Sequence, residues 1–279
     1  TTDGLAILGL IFFITGMGFK ISLVPFHLWT ADVYEGSPIS VTAYLSVVSK
    51  GAAVFIFMIT LYRVFGNLVD VWEEVLYILA ISTMTIGNLF AIRQTNIKRL
   101  LAFSSIAQAG FILLGLMGDS TQGMTSVVYF MLIYIFTNLG AFGVAATISH
   151  VYGKENIEDY KGLYRTNPLL SLLMMVALFS LAGIPPVAGF FGKFFLFMSA
   201  ASKGYYILVL IAVLNATISL YYYLRVVKAM FIDKTDTPLA FFKSAPSFRI
   251  SMVICLAGIV TVGFLSFIYQ YILSGSALL

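Results

Sequence analysis

The chain is built of long apolar runs separated by short polar stretches. Eight runs stand out, at roughly 4–28, 40–61, 74–92, 98–117, 124–149, 168–200, 205–227 and 250–272. A membrane-crossing helix takes about 20 predominantly apolar residues, and most of the runs reach that length. The apolar positions are continuous and do not alternate with polar ones, which speaks against a transmembrane β-barrel. The pattern predicts an all-α polytopic membrane protein of about eight transmembrane helices. Runs 4–28 and 168–200 are too long for one simple helix, and both carry internal prolines. In GMGFKISLVPFHLWTADVYEGSP, Pro25 removes a backbone donor and clashes with the preceding turn, so a break is expected near Leu23–Pro25. In LAGIPPVAGFFGKF, Gly183, Pro185, Pro186, Gly189 and Gly192 interrupt the helix just before Lys193. Two matched breaks suggest an internal repeat, and discontinuous helices in such repeats place ion sites at their breaks.

Composition narrows the class. Hydrophobic residues make up 60% of the chain and charged residues 10%, against about 25% charged in soluble domains. A soluble domain of this length has too little interior for that apolar surface. A soluble enzyme, a disordered chain and a nucleic-acid binder are excluded. The single cysteine, Cys255, leaves no internal disulfide and no Cys-based metal or cluster site. Two histidines far apart make no metal centre.

The charges set the orientation. Of the 16 Lys and Arg, Arg93, Lys98, Arg99, Lys154, Lys161, Arg165, Arg225, Lys228, Lys234, Lys243 and Arg249 fall in loops on one side, and only Arg63 and Lys203 on the other. The positive-inside rule makes the first side cytoplasmic. Both termini then lie outside. A chain that starts TTDGLAILGL, without a methionine or a signal segment, is expected to be the C-terminal part of a longer protein.

The remaining cations, Lys20, Lys50 and Lys193, sit within apolar runs. An ammonium group at bilayer depth costs at least about 2.5–3.5 kcal/mol on insertion scales. Burial disfavours a charged amine, so a buried lysine is able to release a proton near neutral pH, which arginine is not. Polar residues share helix faces at spacings of three or four: Ser104, Ser105 and Gln108; Tyr134, Thr137 and Asn138; Asn215 and Ser219, with Tyr222 and Tyr223 beyond. Ser46 stands four residues before Lys50. In lipid such groups face protein or water, and together they suggest a hydrated path. His27 lies just past the first break, where an imidazole is placed to pass protons between water and Lys20, or to pack beside Phe26 and Trp29. No acidic residue falls well inside a run, so the carboxylate partners of the lysines are expected in missing sequence or another subunit.

Residues 17–50, MGFKISLVPFHLWTADVYEGSPISVTAYLSVVSK, resemble the most recognisable stretch of the antiporter-like membrane subunits of respiratory complex I, above all the N type of bacterial enzymes. GNLFAIRQTNIKRLLAFSSIAQAGF at 87–111, NLGAFGV at 138–144, SLAGIPPVAGFFGKF at 180–194 and YYYLRV at 221–226 extend the resemblance over nearly the whole chain. It implies helices seven to fourteen of a fourteen-helix fold with two inverted five-helix repeats. Residues 1–66 would end the first repeat, 67–232 would form the second with its broken helix at 168–200, and 233–279 would supply a cytoplasmic loop and the last helix. Lys20 matches the lysine beside the first break, Lys50 the connecting lysine and Lys193 the terminal lysine of the second broken helix. Gln108 stands where many relatives have histidine, and Ala31 and Ser40 replace frequent prolines.

The implied function is proton translocation in a bacterial inner (cytoplasmic) membrane, as a subunit of a complex I-type NADH:quinone oxidoreductase. FMN, iron–sulfur clusters and quinone would belong to partner subunits, with other membrane subunits and lipid around this chain and no cofactor, metal or nucleic acid bound by it. The alternatives are a subunit of a multisubunit cation/proton antiporter and a non-pumping membrane scaffold.

The charge asymmetry carries a topological prediction. Cysteines placed within 150–167 or 228–249 should resist a membrane-impermeant thiol reagent on intact cells and react after permeabilisation. Labelling of either loop from outside reverses the orientation.

Overall fold

The computed structural model describes residues 4–118 and 120–276. Helix α1 spans Gly4–Ile21, α2 Leu28–Gly36, α3 Ile39–Arg63, α4 Val69–Ile92, α5 Ile97–Leu116 and α6 Ser120–Tyr152. Then follow α7 Pro168–Ala182, α8 Ala188–Ser202, α9 Tyr206–Phe231, α10 Pro246–Phe264 and α11 Ser266–Ser276. Among the described residues seven helical stretches are long and apolar enough to cross a membrane, and α7 and α8 are shorter apolar helices joined end to end. The all-α polytopic architecture and both broken helices are therefore present.

Three boundaries differ from the sequence reading. The first break runs from Ser22 to His27, longer than Leu23–Pro25, because α1 stops a turn before the proline and the chain resumes as α2 only at Leu28. The last apolar run is not continuous: α10 ends at Phe264, Leu265 leaves helical geometry, and α11 begins anew. The third helix is not uniform, since Leu45–Ser49 winds as a π-helix immediately before Lys50. Such segments in a transmembrane helix often mark functional positions.

Helix α5 is the axis of the bundle. Every residue from Ile97 to Leu116 except Arg99 is buried, and α2, α4, α6, α8 and α9 pack around it. Asn96 starts the helix by accepting from the amides of Lys98 at 2.8 Å and Arg99 at 3.2 Å, the usual service of an N-cap. Helices α4 and α9 bury one face each, spaced at three and four residues. On α4 it includes Trp72, Leu76, Ala80, Met84, Asn88 and Ala91; on α9 it includes Leu208, Ala212, Asn215, Ser219, Tyr222 and Val226. The outward faces are apolar as well, with Ile78 on α4 and Leu210 on α9 both exposed, as suits helices that meet lipid. Close approach of α4 and α5 depends on glycine: a Cβ on Gly110 would lie 2.7 Å from the Met84 amide nitrogen. Small residues at such crossings let membrane helices pack by van der Waals contact.

Loop contacts gather the cation-rich segments at one end of the bundle. Arg99 pairs with Asp32 at 2.8 Å and Glu35 at 2.6 Å, and Lys98 with Glu155 at 3.0 Å. Arg225 donates to the carbonyls of Ile92 and Gln94. Burial works against ionisation of Glu155, but Lys98, with Ser149 and Asn96, outweighs it and holds the carboxyl below its usual value. That pair therefore contributes stability above the ordinary carboxylate pKa and loses it as pH falls through the lowered one. At the other end Glu73 receives Lys203 at 3.2 Å and the Tyr205 hydroxyl at 2.5 Å.

The α4–α5 crossing can be tested directly. Gly110→Ala should cost about 1–3 kcal/mol by overpacking, whereas Gly16→Ala, with nothing within 4 Å of the added Cβ, should be neutral or slightly stabilising. Thermal unfolding of the detergent-solubilised protein reads both; equal midpoints for the two variants would remove the packing explanation.

Candidate functional site

Lys50 sits at the end of the π-helical segment and is 1% exposed. Its Nζ donates to the Ser105 carbonyl at 3.1 Å and to the Ser105 hydroxyl. One turn earlier, Ser46 Oγ lies 3.3 Å from the Tyr134 hydroxyl. Three residues along α5 from Ser105, Gln108 Nε2 donates to the Leu181 carbonyl at 2.9 Å and to the Tyr223 hydroxyl at 3.3 Å. Tyr223 also shares a hydrogen bond with Ser104 Oγ at 2.5 Å. The next carbonyl, Ala182, accepts from Lys193 Nζ at 3.1 Å. Between Lys50 and Lys193 stand Ser105 and Gln108, one turn apart on α5, and the adjoining carbonyls of Leu181 and Ala182, a polar line interrupted between Ser105 and Gln108.

The break between α7 and α8 makes this line possible. Gly183 closes α7 in the left-handed region, with φ at 85°. Its amide and that of Ile184 fold back onto Phe179 and Ser180, which leaves the carbonyls of Leu181 and Ala182 to side chains. A Cβ at residue 183 would meet Lys193 Cδ at 3.1 Å, so glycine supplies both the backbone angle and the room for the lysine. The C-terminal end of a helix carries partial negative charge and favours a cation. Ser180 Oγ accepts from the Gly189 amide at 3.1 Å and lies 2.9 Å from Thr137 Oγ1, tying both halves of the break to α6. The Lys193 ammonium also stands 4.7 Å from the Phe111 ring centroid, a cation–π contact.

Neither Lys50 nor Lys193 forms a salt bridge among the described residues. Their polar partners are a hydroxyl and peptide carbonyls. Gln108 Oε1 is buried without a donor, and so is Asn138 Oδ1.

Other expected residues are placed differently. Lys20 is exposed in the last turn of α1, whose buried positions are Leu10, Ile14, Gly18 and Ile21. Lys20 stands beside the first break, on a side of α1 away from its buried positions, so its surroundings lie outside the described residues. His27 is buried at the start of α2 with Nδ1 unpartnered. Pro25 lies in the break, where the neighbouring Val24 amide donates to Thr83 Oγ1 at 3.1 Å. Pro185 and Pro186 lie between α7 and α8. Ser219 Oγ bonds back to Ala216 of its own helix at 2.6 Å and so serves α9 itself. Asn215 joins a lateral cluster: Asn88 Nδ2 donates to Asn215 Oδ1 at 3.1 Å, and the Tyr222 hydroxyl to Asn88 Oδ1 at 2.9 Å. Asn88, Ser180 and the π-helical segment escaped the sequence reading. The first was legible as an amide inside an apolar run, and the second as a hydroxyl three residues before Gly183. Nothing in the residue pattern announced the third. Among the described residues no group of three or more His, Cys, Asp or Glu is arranged to hold a metal.

Comparison with known proteins gives consistent matches. The family model described as NADH:quinone oxidoreductase/Mrp antiporter, TM, matches residues 2–219. The chain is 55% identical over 280 residues to the NADH-quinone oxidoreductase subunit N of Phocaeicola vulgatus, covering 100% of this chain and 59% of that protein. It is similar to a chain of respiratory complex I from Thermus thermophilus with bound aureothin, with a TM-score of 0.78 and 36% identity over 95% of this chain and 58% of that one. A chain of the Mrp complex from a Dietzia species shares the fold, with a TM-score of 0.86 at 21% identity over 99% of this chain and 59% of that one. The chain therefore spans somewhat more than half the length of these relatives.

The lateral amide cluster yields its own prediction. Asn88→Ala strands the Tyr222 hydroxyl and Asn215 Oδ1 and should cost about 1–3 kcal/mol; Asn215→Ala should cost less, because Asn88 keeps the residue-215 carbonyl and Tyr222, and the double variant should cost less than the sum. Denaturant or thermal midpoints in detergent measure this. Strict additivity would show that the two amides do not interact.

Proposed function

The chain belongs to the NADH:quinone oxidoreductase/Mrp antiporter transmembrane family, and from that membership and the buried Lys50–Lys193 line we propose that it conducts protons as a membrane subunit of a complex I-type enzyme. The supporting observation is a pair of buried lysines, Lys50 on Ser105 and Lys193 on the Ala182 carbonyl, with Gln108 one turn along α5 from Ser105 and bonded to the adjoining Leu181 carbonyl. In this reading Lys50 and Lys193 each hold and release a proton. Hydroxyls and water carry it between them, with Gln108 Oε1 free to accept a hydrogen bond from water or from an ammonium group. Glutamine itself does not titrate, so Gln108 orients the carriers and does not carry the proton.

Redox chemistry belongs, in the same proposal, to partner subunits holding FMN, iron–sulfur clusters and the quinone site, and quinone reduction there drives the lysine charge states. The repeat division falls at 66/67 and 232/233, with α4 to α9 as the second repeat. The cation-rich end faces the cytoplasm of a bacterial inner membrane. Lys20 is then completed by an acidic residue from outside the described residues. The N-type names of relatives such as the Phocaeicola protein favour the complex I assignment, whereas the likeness to the Dietzia Mrp chain rests on fold alone.

Substitution at Lys50 tests the reading in the full-length protein within its assembly. Lys50→Ala should leave the complex assembled and lower proton transport and coupled quinone reduction together. The expected loss is about 10²-fold, the lower scale for a positioned proton-transfer group. Lys50→Arg keeps the charge and cannot release a proton at accessible pH, so it should behave like the alanine variant. Transport is measured in reconstituted vesicles, with assembly checked separately. Wild-type pumping in correctly assembled Lys50→Arg would sink the assignment and leave Lys50 as a fixed structural cation.

A further inference from the structure

Away from the lysine line, a groove of about 430 Å³ opens on the outer surface between α7 and α10. Its walls are apolar: Leu169, Leu173, Phe248, Met252 and Leu256 are among them, and among the described residues no carboxylate lines it. Leu169 is 82% exposed and Val253, also in the wall, 66%. The mouth has a different character. Arg249 lines it and is exposed, and Lys243 lies between the lining residues Phe242 and Ser244. Neither cation forms a salt bridge among the described residues.

The roof over the mouth is fixed. Asn167 Nδ2 donates to the Ala240 carbonyl at 3.0 Å, and its Oδ1 accepts from the Phe242 amide at 3.4 Å. The Tyr152 hydroxyl donates to the same Ala240 carbonyl at 2.6 Å. Residues 240–242 are thereby pinned beside the start of α7, and Lys243 follows directly on them.

We propose that this groove binds an anionic phospholipid of the surrounding bilayer, with an acyl chain along the α7–α10 furrow and the phosphate at Arg249. Three features choose this occupant. The furrow runs from the loop end of both helices into their apolar length, the direction an acyl chain takes from headgroup to bilayer core. A guanidinium matches phosphate oxygens with paired donors. The charge asymmetry places residues 228–249 at the cytoplasmic surface, the leaflet in which anionic headgroups attract basic segments. The proposal needs only membrane insertion and does not depend on proton conduction.

The test uses the full-length protein in its native assembly, reconstituted into phosphatidylcholine bilayers. These carry a minor fraction of phosphatidylglycerol with a photoactivatable group in its acyl chain. Peptide mapping should place the crosslinks in 168–173 and 248–256. Unlabelled phosphatidylglycerol should compete, and unlabelled phosphatidylcholine should not. Arg249→Gln should reduce crosslinking roughly fivefold, the scale of one interfacial cation, and Arg249→Lys should restore most of it. Leu173→Trp, which fills the furrow, should abolish it while the lysine-dependent proton transport persists. The proposal is overturned by equal crosslinking from labelled phosphatidylcholine, by indifference to Arg249→Gln, or by finding the furrow crosslinked to a protein helix in the assembly.

Discussion

A polypeptide in lipid has no solvent to complete its hydrogen bonds, and the break between α7 and α8 is where that constraint is most severe. Ending a helix inside a bundle leaves carbonyls that cost several kcal/mol each if unpaired in hydrocarbon. Here Leu181 and Ala182 are paired by Gln108 and Lys193. Each side chain solves the other's problem. The carbonyls gain donors, and a buried amide and ammonium gain acceptors. Gly183 follows from the same requirement, because its left-handed turn exposes those carbonyls and its missing side chain leaves space for the Lys193 stem. The wall of buried α5 follows too, since Gln108 and Ser105 must be presented from a helix sealed from lipid.

The packing around α5 gives that arrangement its rigidity. Small residues bring α4 close, Asn96 caps the helix start, and loop contacts hold one end of the bundle together. The ion pairs there are partly exposed and individually modest. Their value lies in fixing register, since Lys98 ties α5 to the segment after α6 and Arg99 ties it to α2. The lateral Asn88–Asn215 contact sets α9 against α4 in the apolar layer. There a missed partner is costly, so it constrains the rotation of α9 that brings Tyr223 to Gln108.

Much of this was legible in the residues. Continuous apolar runs gave the helices, and interior Gly and Pro gave both breaks, because their backbone effects are local and strong. Lys50 and Lys193 stood out because a lysine inside an apolar run has few structural excuses. What stayed hidden depends on tertiary placement. The uniform apolarity of 98–117 marks a membrane helix but not the central one. A π-helix before Lys50 has no compositional mark. The exposure of Lys20 depends on which face of α1 finds neighbours, and the apolar residues on both of its sides did not distinguish them. Ser219 shared a spacing with Asn215 but bonds to its own helix, an option open to any serine inside a helix.

Among the described residues no carboxylate pairs with either buried lysine, and this shapes how the proposed path would work. Neutral dipoles support an ammonium group only partly, so the two sites depend on their surroundings more than an ion pair would. Two ammonium groups on one polar line also repel, and low dielectric carries that repulsion further than water does. Loading one lysine therefore bears on the other without any contact between them. The elements that join them are the peptide carbonyls at the break and Gln108, whose side-chain amide is already committed to Leu181 and Tyr223. A side chain so held does not swing to follow the proton. It keeps the geometry constant while charge moves, and a charge change at either lysine reaches the other as a field across a fixed frame. Under the proposed function such a frame would suit a subunit that responds to its neighbours, because the response would be carried by charge and would need little movement of the helices around Lys50 and Lys193.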